Sequence, residues 1–112
     1  MTRPNLNRPL VLEAPQRVAD GAGGFAVVWQ ALGTLWAEVT AGTGREAAFA
    51  GGPMSRVPIR VVVRAAPQGA PSRPLPDQRF REGDRVFKIL AVTERDHTGR
   101  YLTCHAQEET AA

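Results

Sequence analysis

The chain has 112 residues, 43% of them hydrophobic, which is enough for one domain with a single modest core but not for two domains. It carries 14 basic and 11 acidic residues, a net charge of +3, and its only cysteine is Cys104, so an intrachain disulfide and a multi-cysteine zinc site are excluded. No apolar run reaches the roughly 18 residues of a membrane span, and the N-terminus lacks the apolar stretch of a signal peptide, so we expect a soluble protein that is not exported.

Alternating apolar residues predict the first strands of the chain. The segment "PLVLEAP" places Leu10 and Leu12 on one face, which predicts a strand over residues 8–14. The segment "FAVVW" predicts a second strand over residues 25–30, and the turn residues of "ADGAGG" join the two as a hairpin. Alternation continues in "TLWAEVTA", and the preceding "ALG", with Gly33, predicts a bend or bulge between the two runs.

The longest predicted connection, residues 41–57, is neither strand nor tight turn, and its "GREAAFAGGPM" has room for a helical turn or two. The strand after it, "VPIRVVVRA", has one apolar face, formed by Val57, Ile59, Val61 and Val63. Arg60 and Arg64 project together from the other face. Pro58 lacks a backbone donor, which favours an edge position or the start of a strand.

Basic residues are concentrated in the centre of the chain. From Arg56 to Arg81 there are six arginines against one acid, Asp77. Such a patch is suited to phosphates or to an acidic protein. A run of like charges is also typical of a solvent-exposed face. A chain rich in Ala, Gly and Arg is typical of a GC-rich genome. Both interpretations stay open.

The last third of the chain predicts a loop and then a hairpin. Four prolines between Pro67 and Pro76 predict a Pro-rich loop over residues 66–77. "RVFKILAVT" and "YLTCHA" alternate on either side of the turn "RDHTGR", and the tail, residues 107–112, is predicted to be flexible. About six short strands predict an all-β fold, a small antiparallel barrel or sandwich with one long inter-strand loop. The expected core includes Trp29, Trp36, Val61, Phe87 and Ile89.

The sequence offers little that points to catalysis. Cys104 and His105 are adjacent on a predicted strand and therefore point to opposite faces, which makes a catalytic dyad unfavourable. His97 and His105 without a fixed third ligand are a weak metal signal, and neither glycine-rich stretch is a phosphate-binding fingerprint. We therefore expect no enzyme, no metal site and no cofactor.

Six short motifs, in order, resemble the phage head–tail joining family, also called head-tail adaptors, head completion proteins or stoppers. They are "DGAGG" before the strand that ends in Trp29, "WAEV" from Trp36, "GRE" from Gly44, the basic strand, "DQRF" from Asp77 and a final hairpin that closes on acids. The resemblance covers residues 6–109. The segment "AGGPMSRVP" and the prolines of the Pro-rich loop depart from the family pattern.

The resemblance implies a single connector domain, residues 1–112, that forms a sixfold or twelvefold ring in the virion after assembly in the bacterial cytoplasm. It implies a portal or adaptor protein above the ring, a tail terminator or tail tube protein below it and packaged double-stranded DNA passing through, with no membrane partner. The loop 41–57 would project toward the channel or a neighbouring ring and help to close or gate it. Its contact residues would be Arg45, Glu46, Phe49, Met54 and Arg56, while Arg60 and Arg64 would face protein or DNA.

Two alternatives come from other classes of protein. A stand-alone nucleic-acid-binding barrel would use exposed aromatic side chains interleaved with basic ones. A small enzyme would need a pocket that joins His97, His105 and acids from other strands. An amino-acid composition typical of a GC-rich genome fits a gene transfer agent, a phage-like particle carried by some bacteria, as well as it fits a phage.

Overall fold

The computed structural model describes residues 3–42 and 56–109, which form six antiparallel strands. The strands are β1 (Arg8–Ala19), β2 (Phe25–Ala41), β3 (Arg56–Arg64), β4 (Arg79–Glu82), β5 (Arg85–Glu94) and β6 (Tyr101–Glu109). They close into a barrel in the order β1-β2-β3-β6-β5-β4, which confirms the predicted all-β fold. In the described residues there is no helix long and apolar enough to cross a membrane.

The core fills the inside of the barrel with alternate residues from every strand. Val61, Phe87 and Ile89, which we expected there, have no exposed surface. The other members of the buried cluster are Leu10, Leu12, Ala37, Ile59, Val63, Phe80, Leu102, Cys104 and Ala106. Since successive side chains of a strand point to opposite faces, the other half of each strand is left for contacts outside the barrel.

The six strands are not the six that alternation predicts. The runs expected over 25–30 and after Gly33 form one strand, β2, which bends where Leu12 pairs with Gly33 and Glu13 pairs with Ala31. Leu32 is the extra residue of this bulge and packs against the core. The short strand β4 was not predicted, because four residues give too little alternation to recognise.

The two tryptophans do not lie in the core, so that prediction is wrong. Trp36 is 58% exposed because its neighbour Ala37 points into the barrel and alternation then directs Trp36 outward. Trp29 is half-buried and lies outside the core cluster, because its part of β2 extends beyond the barrel.

Pro58 is accommodated near the start of β3. Pro58 is the third residue of β3, and its carbonyl accepts a hydrogen bond from the amide of Gly42, just beyond the end of β2. Its missing donor therefore faces the side where β2 has ended, which explains how a barrel without edges accommodates it.

The predicted flexible tail 107–112 is wrong for residues 107–109, which belong to β6 and pair with β3 and β5.

The connection between β3 and β4 has no strand and contains the predicted Pro-rich loop. It is not a bare linker, because Pro74 is fully buried and Arg73 donates a hydrogen bond to the carbonyl of Ala66, 2.9 Å away. The loop is therefore partly ordered by its own contacts and by burial of Pro74.

Candidate interaction surfaces

The hairpin of β1 and β2 continues beyond the barrel as a two-stranded arm, residues 14–31. Its tip is a tight turn in which the Asp20 carboxylate accepts hydrogen bonds from the amides of Ala22 and Gly24, 2.8 and 3.1 Å away. These bonds lower the pKa of Asp20. Gly21 and Gly23 adopt φ angles of 81° and 85°, the left-handed region that favours glycine.

Both faces of the arm carry exposed apolar side chains. Cross-strand pairs share a face, so Phe25, Val27 and Trp29 lie on one face, and Val28 lies on the other with Val18. The exposed fraction is 62% for Phe25, 57% for Val27 and 50% for Val28. The sequence signal for this arm was present in "FAVVW", which is apolar at every position and not at every second one.

A buried carboxylate fixes the root of the arm to the barrel. Glu13, only 6% exposed, accepts hydrogen bonds from Nε of Arg79 at 2.7 Å and from Nε of Arg81 at 2.9 Å. The Arg79 guanidinium also stacks over the Trp29 ring, 4.1 Å from its centroid. Desolvation raises the pKa of Glu13, but the hydrogen bonds from Arg81 and Arg79 outweigh it and the net direction is downward.

Between the arm and the barrel lies a groove of about 280 Å³. Its lining is Pro15, Val27 and Trp29 from the arm and Asp77, Arg79, Val86, Lys88 and Glu109 from the barrel. Glu109 lies opposite Arg56 in the backbone pairing of β6 with β3, so the groove is next to the first residue of β3. Asp77, Lys88 and Glu109 form no ion pair with the residues that the structure describes.

Four charged residues link β1, β4, β5 and β6 on the outside of the barrel. Arg8 binds the Glu82 carboxylate, and Nε of Arg85 donates to Glu108 at 2.7 Å. A longer contact of 3.8 Å joins Arg85 to Glu82. The hydrogen bonds lower the pKa of Glu82 and Glu108 and raise the pKa of Arg8 and Arg85. The network holds the strands together where the barrel closes, and its acids are occupied by the chain's own arginines.

The basic face predicted for β3 lies on the outside of the barrel. Arg60 is half-buried opposite His105, while Arg64 is exposed with its guanidinium 6.0 Å from the centroid of the Tyr101 ring. Arg64 lines an open pocket of about 480 Å³ together with Arg3 and Arg100. No acidic residue lines that pocket, so the last residue of β3 lies at a basic concave surface.

Most of the contact residues predicted for the loop 41–57 lie outside the part of the chain that the structure describes. Arg45, Glu46, Phe49 and Met54 lie outside the described residues. Arg56 is the first residue of β3, and its side chain is likewise outside the description. Of the loop 41–57, only residues 41, 42, 56 and 57 are described.

The candidate catalytic and metal-binding residues have different surroundings. Cys104 is fully buried in the core, and burial raises its pKa to about 12. His97 is exposed in the β5–β6 turn, and His105 lies 3.4 Å from the Thr93 hydroxyl through Nε2. Within residues 3–42 and 56–109, no three His, Cys, Asp or Glu side chains are placed to hold a metal ion.

Comparison with known proteins points to one family. The chain matches the family model described as phage head completion protein over residues 1–109. It is similar to a chain in the virion of a native gene transfer agent particle, with 60% sequence identity, a TM-score of 0.79, and 98% of this chain and 100% of that chain covered. A protein of Shigella flexneri 2a, solved in solution, shares the fold over 100% of both chains, with a TM-score of 0.70 and 19% identity. No curated protein matches the chain.

Proposed function

Because the chain belongs to the phage head completion protein family, we propose that it is a structural connector that joins the head to the tail of a gene transfer agent particle. The observation that carries the proposal is its 60% identity, over almost its whole length, to a chain of a gene transfer agent virion. Proteins of this family are structural parts of a virion.

In the proposed arrangement, residues 1–112 form one connector domain and copies of it build a closed ring. A portal or adaptor protein lies above the ring and a tail terminator or tail tube protein lies below it. A small barrel has little surface of its own for contacts on four sides, so extended elements carry them. The arm is one such element, and the loop 41–57, which would close or gate the DNA channel, is the other.

The arginines of β3 are proposed to face neighbouring proteins and not the channel. A channel lined by unbalanced arginines would hold DNA, because phosphate affinity rises with each charge that is neutralised. Arg60 shares its pocket with Glu38, so its surroundings are not purely basic. DNA therefore slides through a channel to which these side chains contribute little.

Deletion of the gene in a strain that releases particles tests the proposal. We expect heads that contain DNA and lack tails in electron micrographs, and tailed particles again when the wild-type gene is supplied from a plasmid. Normal numbers of tailed particles that still transfer DNA to recipient cells, released by the deletion strain, would refute the connector function.

One observation favours a second function, binding of single-stranded nucleic acid by the isolated barrel. The pocket lined by Arg3, Arg64 and Arg100 has Tyr101 beside it, a combination of basic and aromatic side chains that such proteins use. This function requires micromolar or tighter binding of an oligonucleotide by the purified protein, with a steep loss of affinity as salt is raised. The connector function requires only weak binding.

A further inference from the structure

We propose that the arm of one copy docks into the groove of the next copy, so that the arm and the groove together form the contact between neighbouring subunits. The inference rests on the proposed function, because it supplies the contact that the ring needs.

The arm needs a partner on both faces. An isolated two-stranded hairpin is marginally stable in water, and this one exposes more than half of Phe25 and Val27 on one face and half of Val28 on the other. Exposed apolar patches of this kind mark contact sites. Its own barrel covers only the root, where Arg79 lies over Trp29.

The charges of the arm favour protein over nucleic acid. Residues 14–31 contain two charged side chains, Arg17 and Asp20. Arg17 lies over the Phe25 ring at 4.4 Å from its centroid, and Asp20 caps the turn. A surface with one arginine neutralises almost no phosphate charge, so DNA is a poor match.

The groove complements an arm from another copy. Its lining combines the apolar side chains of Val27, Trp29 and Val86 with Asp77, Lys88 and Glu109, which form no ion pair in the described chain. An incoming arm brings one cation and one anion, Arg17 and Asp20, to these three charges. No arm can enter its own groove, because Val27 and Trp29 form the wall of it.

This arrangement explains why both faces of the arm expose apolar side chains. The tip of each arm is buried in the groove ahead, while its root forms the wall of a groove filled by the arm behind. Such a contact joins two different surfaces, so it repeats from copy to copy and forms a ring if the rotation closes.

Crosslinking of cysteine variants tests the contact. We would mix Val28→Cys protein, on the arm, with Val86→Cys protein, in the groove, and add a short bis-maleimide. The native Cys104 is buried and its high thiol pKa keeps it unreactive, so it needs no replacement. The matched control is Glu94→Cys, an exposed position on the same strand as Val86 but outside the groove.

We expect at least tenfold more crosslinked dimer from the 28–86 pair than from the 28–94 pair. We also expect Phe25→Ser to abolish that excess, whereas Leu75→Ser, which also replaces an exposed apolar side chain but lies off the arm, leaves it intact. Equal yields from the two pairs would overturn the inference.

The result separates this inference from the proposed function. If the 28–86 crosslink fails while the chain is found at the head–tail junction, only the arm contact is wrong. If the crosslink forms while tailed particles lack the chain, the connector function is wrong and the contact between copies stands.

Discussion

At the scale of single residues, Glu13 joins the arm to the barrel. Its carboxylate is almost completely buried and binds two arginines that flank the core residue Phe80. A buried acid is tolerated only when its charge is paired, and here both partners lie on β4. The root of the arm is thus held by a pair of charge-assisted hydrogen bonds in addition to the strand pairing.

Replacing Glu13 by Gln removes that charge and leaves two arginines without their partner. We expect the free energy of unfolding to fall by about 1 to 3 kcal/mol at pH 7. Denaturant titration measures it, with the exposed Glu94→Gln as a control that changes stability by less than about 0.5 kcal/mol. Equal stability of Glu13→Gln and the wild type would contradict this role.

The same residue predicts a pH dependence. The pKa of Glu13 is lower in the folded chain than in the unfolded chain. Its contribution is therefore fully present above the unfolded-state pKa of about 4.3 and is lost as the pH falls through the lower folded-state value. The stability gap between the wild type and Glu13→Gln should narrow below pH 4 in denaturant titrations, and a gap that stays constant down to pH 2 would contradict the assignment.

Cys104 gives an independent check on the barrel interior. Only the thiolate reacts with alkylating reagents, and burial raises the pKa of this thiol to about 12. We expect native protein at pH 7.5 to resist iodoacetamide for hours and urea-unfolded protein to react fully within minutes, as measured by mass spectrometry. Rapid labelling of the native protein would mean that β6 does not face a closed core.

At the scale of elements, β2 serves both the barrel and the arm because it bends. The bend lies at Gly33, whose φ of 148° is a conformation that other residues adopt only under strain. No atom lies within 4 Å of the position a Cβ would take, so backbone strain is the only cost of a side chain there.

Gly33→Ala should therefore lower the free energy of unfolding by about 1 to 3 kcal/mol in denaturant titrations. The control is Thr34→Val, the next residue of β2, which has no such φ and is expected to change stability by less than about 0.5 kcal/mol. A Gly33→Ala protein as stable as the wild type would show that the bend does not depend on glycine.

Sequence patterns predicted the strands that alternate over a buried face, such as "VPIRVVVRA" and the final hairpin, and the bulge at Gly33. They did not predict β4, which is held by pairing with β1 and β5 and by the binding of its arginines to Glu13, long-range contacts that no local pattern contains. They did not predict the arm either. A strand that is apolar on both faces suits a buried strand as well as one awaiting a partner, and only the structure distinguishes the two.

At the scale of the molecule, the contact surfaces lie at opposite ends of β3. The groove is next to the first residue of β3, because Glu109 in its lining lies opposite Arg56 in the pairing of β6 with β3. The arginine-lined pocket contains the last residue of β3, Arg64. A strand of nine residues spans about 26 Å between them. In the proposed assembly, one end offers apolar surface to a neighbouring copy, and the other offers positive charge to a different partner.

The most direct test is cryo-electron microscopy of tailed particles from the strain that encodes this chain. We expect density for its six-stranded barrel in a closed ring at the head–tail junction, with each arm against the next copy. Intact tailed particles whose junction is built without this chain would contradict the connector function.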